Sequence, residues 1–133
     1  MMLRIPLVAS FVAGLAVLGA GSAAASMPLG QDPAGIVQYY LDHRDSTEFT
    51  CPATMVWNAP NSRSVEPPFV RKQHEAIDIR SYDPAGLRVR NAGGEFPGYV
   101  YVDVDVQGYE RAETRTFVLG PSAGGYCIGD LLP

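Results

Sequence analysis

Only two cysteines and two histidines occur in the 133 residues, and each shortage removes a class of chemistry. Cys51 and Cys127 stand too far apart for a C-x-x-C redox pair or a cysteine-rich metal site. His43 and His74 form no i, i+4 pair, so the chain has no helical zinc motif and no metal is expected. Phosphate-cradling glycines are missing too, because Gly93-Gly94 and Gly124-Gly125 fall in hairpin turns rather than between a strand and a helix. No serine sits on a strand–turn–helix elbow. Basic charge is scarce: 10 Lys+Arg stand against 14 Asp+Glu, a net charge of −4. That balance argues against nucleic acid, which is held by basic patches, and against electrostatic docking on anionic lipid. Repeats and low-complexity tracts are absent, and no cofactor signature is present.

What the chain does have begins at its start. Arg4 precedes an apolar run over 5–20, and Ala23-Ala24-Ala25 offers an A-x-A cleavage site before Ser26. This is the order of a secretory signal peptide over residues 1–25. With Pro6 inside it and several glycines, the run is too short for a membrane span of about 20 residues. Residues 26–133 then make a single domain with one core. Removing the leader takes away one arginine and no acid, so the remainder is one charge more acidic. In an oxidising compartment an isolated cysteine pair reads as one disulfide, Cys51–Cys127. No cysteine follows the cleavage region to carry a lipid anchor. The expectation is a secreted or periplasmic protein, and the Ala/Gly/Arg/Asp-rich usage suggests a bacterial one.

Asp32-Pro33 opens a helix over about 32–44, with Ile36, Val37, Tyr40 and Leu41 on one face and His43 and Arg44 near its C-terminus. Residues 45–72 are rich in proline and read as a covering segment pinned at Cys51. A short extended piece over 54–58 is placed to lay Val56 or Trp57 against the core. From His74 the period changes to two, predicting a strand over 74–82, a type I turn at Asp83-Pro84-Ala85-Gly86 and a strand over 87–91. The clearest strand is 99–106, where every even position is Val and the other face carries Tyr99, Tyr101, Asp103 and Asp105. Strands over 113–119 and 126–131 follow, around a Pro/Gly turn. The pattern is α+β: one N-terminal helix packed on a curved antiparallel sheet of four to five strands, with one disulfide.

Asp32-Pro33, Ile36-Val37 and Tyr39-Tyr40-Leu41 in the helix, Ile77 to Asp83, and the closing stretch 115–132 with its Gly-rich turn and Tyr-Cys-Ile-Gly-Asp-Leu-Leu end carry a resemblance. They are similar to the cone-shaped α+β superfamily named after nuclear transport factor two and its cystatin-like relatives. That resemblance implies a helix across an antiparallel sheet. It spans ketosteroid isomerases, dehydratases, hydrolases and secreted modules without chemistry, so it does not choose among functions. The chain departs from the pattern at 45–72, where helices usually close the cone.

The polar face of 99–106 is the main candidate site. A Tyr101 hydroxyl beside the Asp103 or Asp105 carboxylate, with Asp78 and Arg80 from a neighbouring strand, suits isomerase- or dehydratase-type proton transfer. The plainer reading is a solvated face on which Asp78, Asp103, Asp105, Arg80 and Arg115 pair across strands, and the unspecific two-residue acid spacing favours it. Trp57, with Phe69 and Pro67-Pro68, offers either an aromatic–proline gripping surface or a plug beside the disulfide, and the plug is favoured. The expected function is therefore a small, secreted, non-catalytic binding or interaction module for a protein or small molecule. Binding candidates are Trp57, Tyr99 and Tyr101; the alternative is the Tyr/Asp enzyme. A homodimer through the sheet face would need Arg80, Arg88, Arg90 or Arg115 of the second copy to meet the acids.

Overall fold

The computed structural model describes residues 27–59, 65–94 and 96–133, so the expected leader at 1–25 lies outside the described residues. After a 3-10 turn at Leu29–Gln31 come helix α1 (Pro33–Asp42), helix α2 (Phe69–Ala76) and four strands: β1 (Ser81–Asn91), β2 (Val100–Gln107), β3 (Ala112–Ser122) and β4 (Gly125–Leu132). The strands form one antiparallel sheet in the order β1-β2-β3-β4. The architecture is α+β with the Cys51–Cys127 bond in place, joining residues 76 apart in sequence.

The pleat of β2 divides the molecule. Val100, Val102, Val104 and Val106 face one way and are buried with Phe117, Leu119, Ile128 and Leu131 of β3 and β4. Onto this face α1 lays Ile36, Val37, Tyr40 and Leu41, and α2 lays Phe69 and Ala76. Burying a large apolar side chain contributes roughly 1.5–3 kcal/mol, so these helices, too short to hold alone, are held by the sheet. α1 is shorter than the expected 32–44. Pro33 occupies its first turn, and Arg44 lies beyond its end. From there the Arg44 guanidinium donates to the carbonyls of Leu41, Ala76 and Ile79 at 3.1, 2.9 and 2.9 Å. One side chain thus satisfies orphan carbonyls at the C-terminal ends of both helices.

Three expectations are corrected. Residues 74–76 are not the start of a strand but the last turn of α2, followed by a turn at Ile77-Asp78. Pro67-Pro68 set up the helix entry, and the seven-residue spacing of Phe69 and Ala76 puts both on its buried face. Ile77 is left exposed while Ile79 enters the core. The described residues therefore hold two helices where one was expected. Lastly, Asp83-Pro84-Ala85-Gly86 does not end a strand: β1 runs through it, with a register shift between Tyr82 and Leu87. Turn chemistry here makes a bulge, with the Ala85 N–H donating to Asp83 Oδ1 at 2.9 Å. Pro84 is tolerated because β1 is an edge strand.

Among the described residues, the opposite face of the sheet is covered at one end only. Residues 51–59, hereafter the strap, lie over Tyr99, Tyr101, Val118 and Cys127, burying Cys51, Trp57 and Ala59. The strap starts where Phe49 and Cys51 bond to both sides of Ile128, at 2.7 and 2.8 Å, with a parallel bridge from Thr50 to Ile128. Trp57 is 3% exposed and meets Tyr99 edge-on, with ring centroids 5.1 Å apart. Val56, the other residue the sequence offered to the core, points to solvent. The indole lies against the backbone of two strands, since a Cβ at Gly120 of β3 or Gly129 of β4 would run into its six-membered ring.

Gly129→Ala tests this seat. Steric overlap with Trp57 should destabilise the fold by about 1–3 kcal/mol or more. A urea titration followed by fluorescence of the sole tryptophan should show a lower midpoint and red-shifted native emission.

Candidate functional site

Beyond the strap, the second face carries a polar ladder from three strands. Arg88 and Arg90 come from β1, Asp103 and Asp105 from β2, and Thr114 and Thr116 from β3. In-register pairing of Asp103 with Thr116 and of Asp105 with Thr114 sets the two rungs. Arg90 lies opposite Tyr101 and Arg88 opposite Asp103, and each guanidinium reaches diagonally to the next acid. Arg90 donates to both Asp103 oxygens at 2.7 and 3.2 Å, and the Thr116 hydroxyl donates to Asp103 at 2.6 Å. Arg88 holds both Asp105 oxygens at 3.0 Å, and Thr114 donates to Asp105 at 2.9 Å. Arg90 also stacks over the Tyr101 ring, 4.3 Å from its centroid, so this guanidinium joins the ladder to the aromatic cluster under the strap.

These contacts decide the ionisation of the pair of acids. The Arg90 guanidinium, helped by the Thr116 hydroxyl, holds the Asp103 carboxyl below its ordinary value. Arg88 and then Thr114 do the same to Asp105. The pKa values of Arg88 and Arg90 rise in turn, each chiefly from its carboxylate partner. Both carboxylates are ionised at neutral pH and already accept charge-assisted hydrogen bonds on both oxygens. A general acid needs the opposite push, towards neutrality. Asp105 also borders a shallow cleft of ≈ 290 Å³ with Ser81, Tyr82, Asp83, Val106 and Gln107.

The structure does not bring the other candidates to this ladder. Asp78 lines a separate cleft with Gly108, Tyr109, Glu110, Arg111 and Glu113, and Arg80 stacks over Tyr109 at 4.9 Å. Arg115 lies opposite Val104 and so on the helix-covered face, correcting its placement among the polar-face pairs. It is buried there, donating to the Leu132 carbonyl and lying 3.7 Å from Glu75 of α2. Lys72 of the same helix reaches the buried Asp130 at 2.9 Å. Tyr99 and Tyr101 are each 8% exposed beneath the strap, and the Tyr99 hydroxyl accepts the Asn58 N–H at 3.0 Å. The Trp57 indole nitrogen is buried without an acceptor among the described residues.

His43 stacks on Tyr39 and contacts the Tyr39 carbonyl, while His74 contacts the Arg71 carbonyl one helix away. Among the described residues, no group of three His, Cys, Asp or Glu is disposed to hold a metal ion. The threonines of β3 were not singled out from sequence. Their signal is the alternation Thr114-x-Thr116, in step with Asp105-x-Asp103 on the neighbouring strand.

Comparison with protein-family models, with curated proteins and with solved structures returned no match. The formed disulfide points to a non-reducing compartment. No helix among the described residues is long and apolar enough to cross a membrane.

Because the folded-state pKa of Asp103 is depressed, its pairing stabilises the fold above the unfolded-state value of about 4 and is lost as pH falls through the folded-state value. Asp103→Asn should therefore be less stable than the parent at pH 7, by about 1 kcal/mol or less because Arg90 is largely exposed. Urea midpoints measured across pH should show the gap closing below about pH 4.

Proposed function

We propose that this chain is an exported, non-catalytic binding module, secreted or periplasmic in a bacterium, which meets its partner with the open half of the second sheet face. The observation that carries the reading is the saturation of the ladder, where each carboxylate is matched by a guanidinium and a hydroxyl from neighbouring strands. Proton-transfer catalysis needs a carboxyl with a pKa near the working pH, in a site that excludes water. Here the acids are pushed the other way. A flat array of fixed charges and hydroxyls suits recognition of a polar partner surface or a small polar ligand, with Tyr101 and the strap as its apolar border. The acids find their counterions within the chain, so a second copy is not required to neutralise them.

Export rests on the leader signal at 1–25 together with the disulfide. The run of helix followed by an antiparallel meander also supports kinship with the superfamily named after nuclear transport factor two and with cystatin-like domains. Function is argued from the face, not from that kinship.

An NMR titration of the Asp103 and Asp105 carboxyls tests the non-catalytic reading. Both midpoints should lie below the ordinary value of about 4. A midpoint above about 6 at either would move the assignment to a Tyr101-assisted isomerase or dehydratase. For the compartment, N-terminal sequencing of protein recovered outside the cytoplasm should begin at Ser26. An uncleaved chain confined to the cytoplasm would overturn export.

A further inference from the structure

Met55 closes a turn over the disulfide. Its N–H donates to the Pro52 carbonyl at 3.0 Å, and its Sδ lies 3.6 Å from Cys127 Sγ. The side chain packs into the cluster of Cys51, Trp57, Tyr99, Tyr101 and Cys127, yet it is only half-buried, and Ala53, Thr54 and Val56 around it are exposed. The side chain thus keeps part of its surface in solvent while its sulfur rests on the disulfide. Both cysteines are already oxidised, and none of the described cysteines is free. Among the described residues, the sulfur left for two-electron oxidation is that of Met27 and Met55.

We propose that Met55 is an oxidation site, taking one oxygen from a peroxide-class oxidant, and that its modification loosens the strap from the sheet. A sulfur lone pair attacks one peroxide oxygen, the S–O bond forms and the O–O bond breaks. The departing oxygen keeps its own proton, takes up the one released by its partner and leaves as water, so sulfur loses two electrons and the peroxide gains them. The sulfoxide is polar where the thioether was apolar. A disulfide sulfur offers its oxygen no hydrogen, so the group is drawn towards water. Met55 lies four residues from the anchor at Cys51 and two from Trp57, so turning it outward lifts the strap while the disulfide keeps it tethered. Tyr99 and Tyr101, next to the ladder, are then uncovered. The chemistry needs only the folded, disulfide-bonded chain and a peroxide, so it stands or falls independently of the binding-module reading.

Met27 provides the internal comparison, because it is 55% exposed at the start of the described chain, far in sequence from the strap. Folded protein with its disulfide intact is treated with hydrogen peroxide, then examined by peptide mass mapping, Trp57 emission and urea titration. The expected result is one oxygen gained at Met55, a red shift of Trp57 emission and a rise of about tenfold in the unfolding equilibrium constant. Met55→Leu, close in volume and inert to peroxide, should lose the response, whereas Met27→Leu should keep it in full. The proposal is overturned if Met55 remains a thioether after Met27 is fully oxidised. It is equally overturned if Met55 is oxidised with emission and midpoint unchanged, or if Met27→Leu alone abolishes the response. Should Met55→Leu fail to fold, the Met27→Leu protein with mapping at Met55 still decides the question.

Discussion

The bond between Cys51 and Cys127 is the constraint on which the second half of this structure depends. The chain-entropy model assigns a crosslink closing so long a loop about 4 kcal/mol, a large fraction of the roughly 5–15 kcal/mol by which a domain of this size is stable. Its structural effect is more specific than that figure. The strap has no regular secondary structure, and its described hydrogen bonds to the sheet are few: the two around Ile128 and the Asn58 N–H on Tyr99. Without the covalent anchor, little would hold an irregular, proline-containing segment across β3 and β4. With it, Trp57 is delivered two residues beyond Met55 onto a seat made by two glycines.

The two faces are consequently held by different means. The helix-covered face is held by apolar burial and by a few polar links: Arg44 ties together the C-terminal ends of the two helices, and Lys72 to Asp130 and Glu75 to Arg115 join α2 to the sheet. The other face relies on one covalent bond and one aromatic plug at its strap end, and on cross-strand ion pairs at its open end. Arg90 spans the boundary, with Tyr101 on one side of its guanidinium and Asp103 at its edge. Strap and ladder therefore share a residue, and a displacement at Tyr101 changes the surroundings of the nearer rung.

Much of this was legible in the residues, for identifiable reasons. The strict Val alternation in β2 admits a single choice of buried face, and the structure follows it. The cysteine pair admits a single disulfide. Helix α1 announces itself through Asp32-Pro33 and four apolar residues at helical spacing. The errors arose where local chemistry has two uses. Asp83-Pro84-Ala85-Gly86 suits a turn or an edge bulge, and only the pairing of β1 with β2 selects the bulge. Ile77 to Arg80 alternates like a strand, yet the helical spacing of Phe69 and Ala76, seated against the sheet, decides the stretch before it. On the outer face, two-residue periodicity put Tyr99, Tyr101, Asp103 and Asp105 together correctly. It carried no information about which half a distant proline-rich segment would cover, because that depends on a contact 42 residues away in the chain: Trp57 on Tyr99.

That unequal covering is what gives the face a functional direction. A bare strand surface bearing two acids and two tyrosines is chemically ambiguous, since the same groups serve proton transfer or simple solvation. Covering the tyrosines removes their rings from free solvent, and pairing the acids with Arg90 and Arg88 lowers their basicity. The hydroxyls of Thr114 and Thr116 are committed as donors to the same acids, which fixes their orientation. What remains outward is a rigid pattern of alternating charge whose members are positioned by backbone pairing rather than by flexible loops. On the function proposed above, such a pattern selects its partner by geometry and sign. The route by which its properties change is the covering itself, and the cover is held at one end by a bond that is already oxidised.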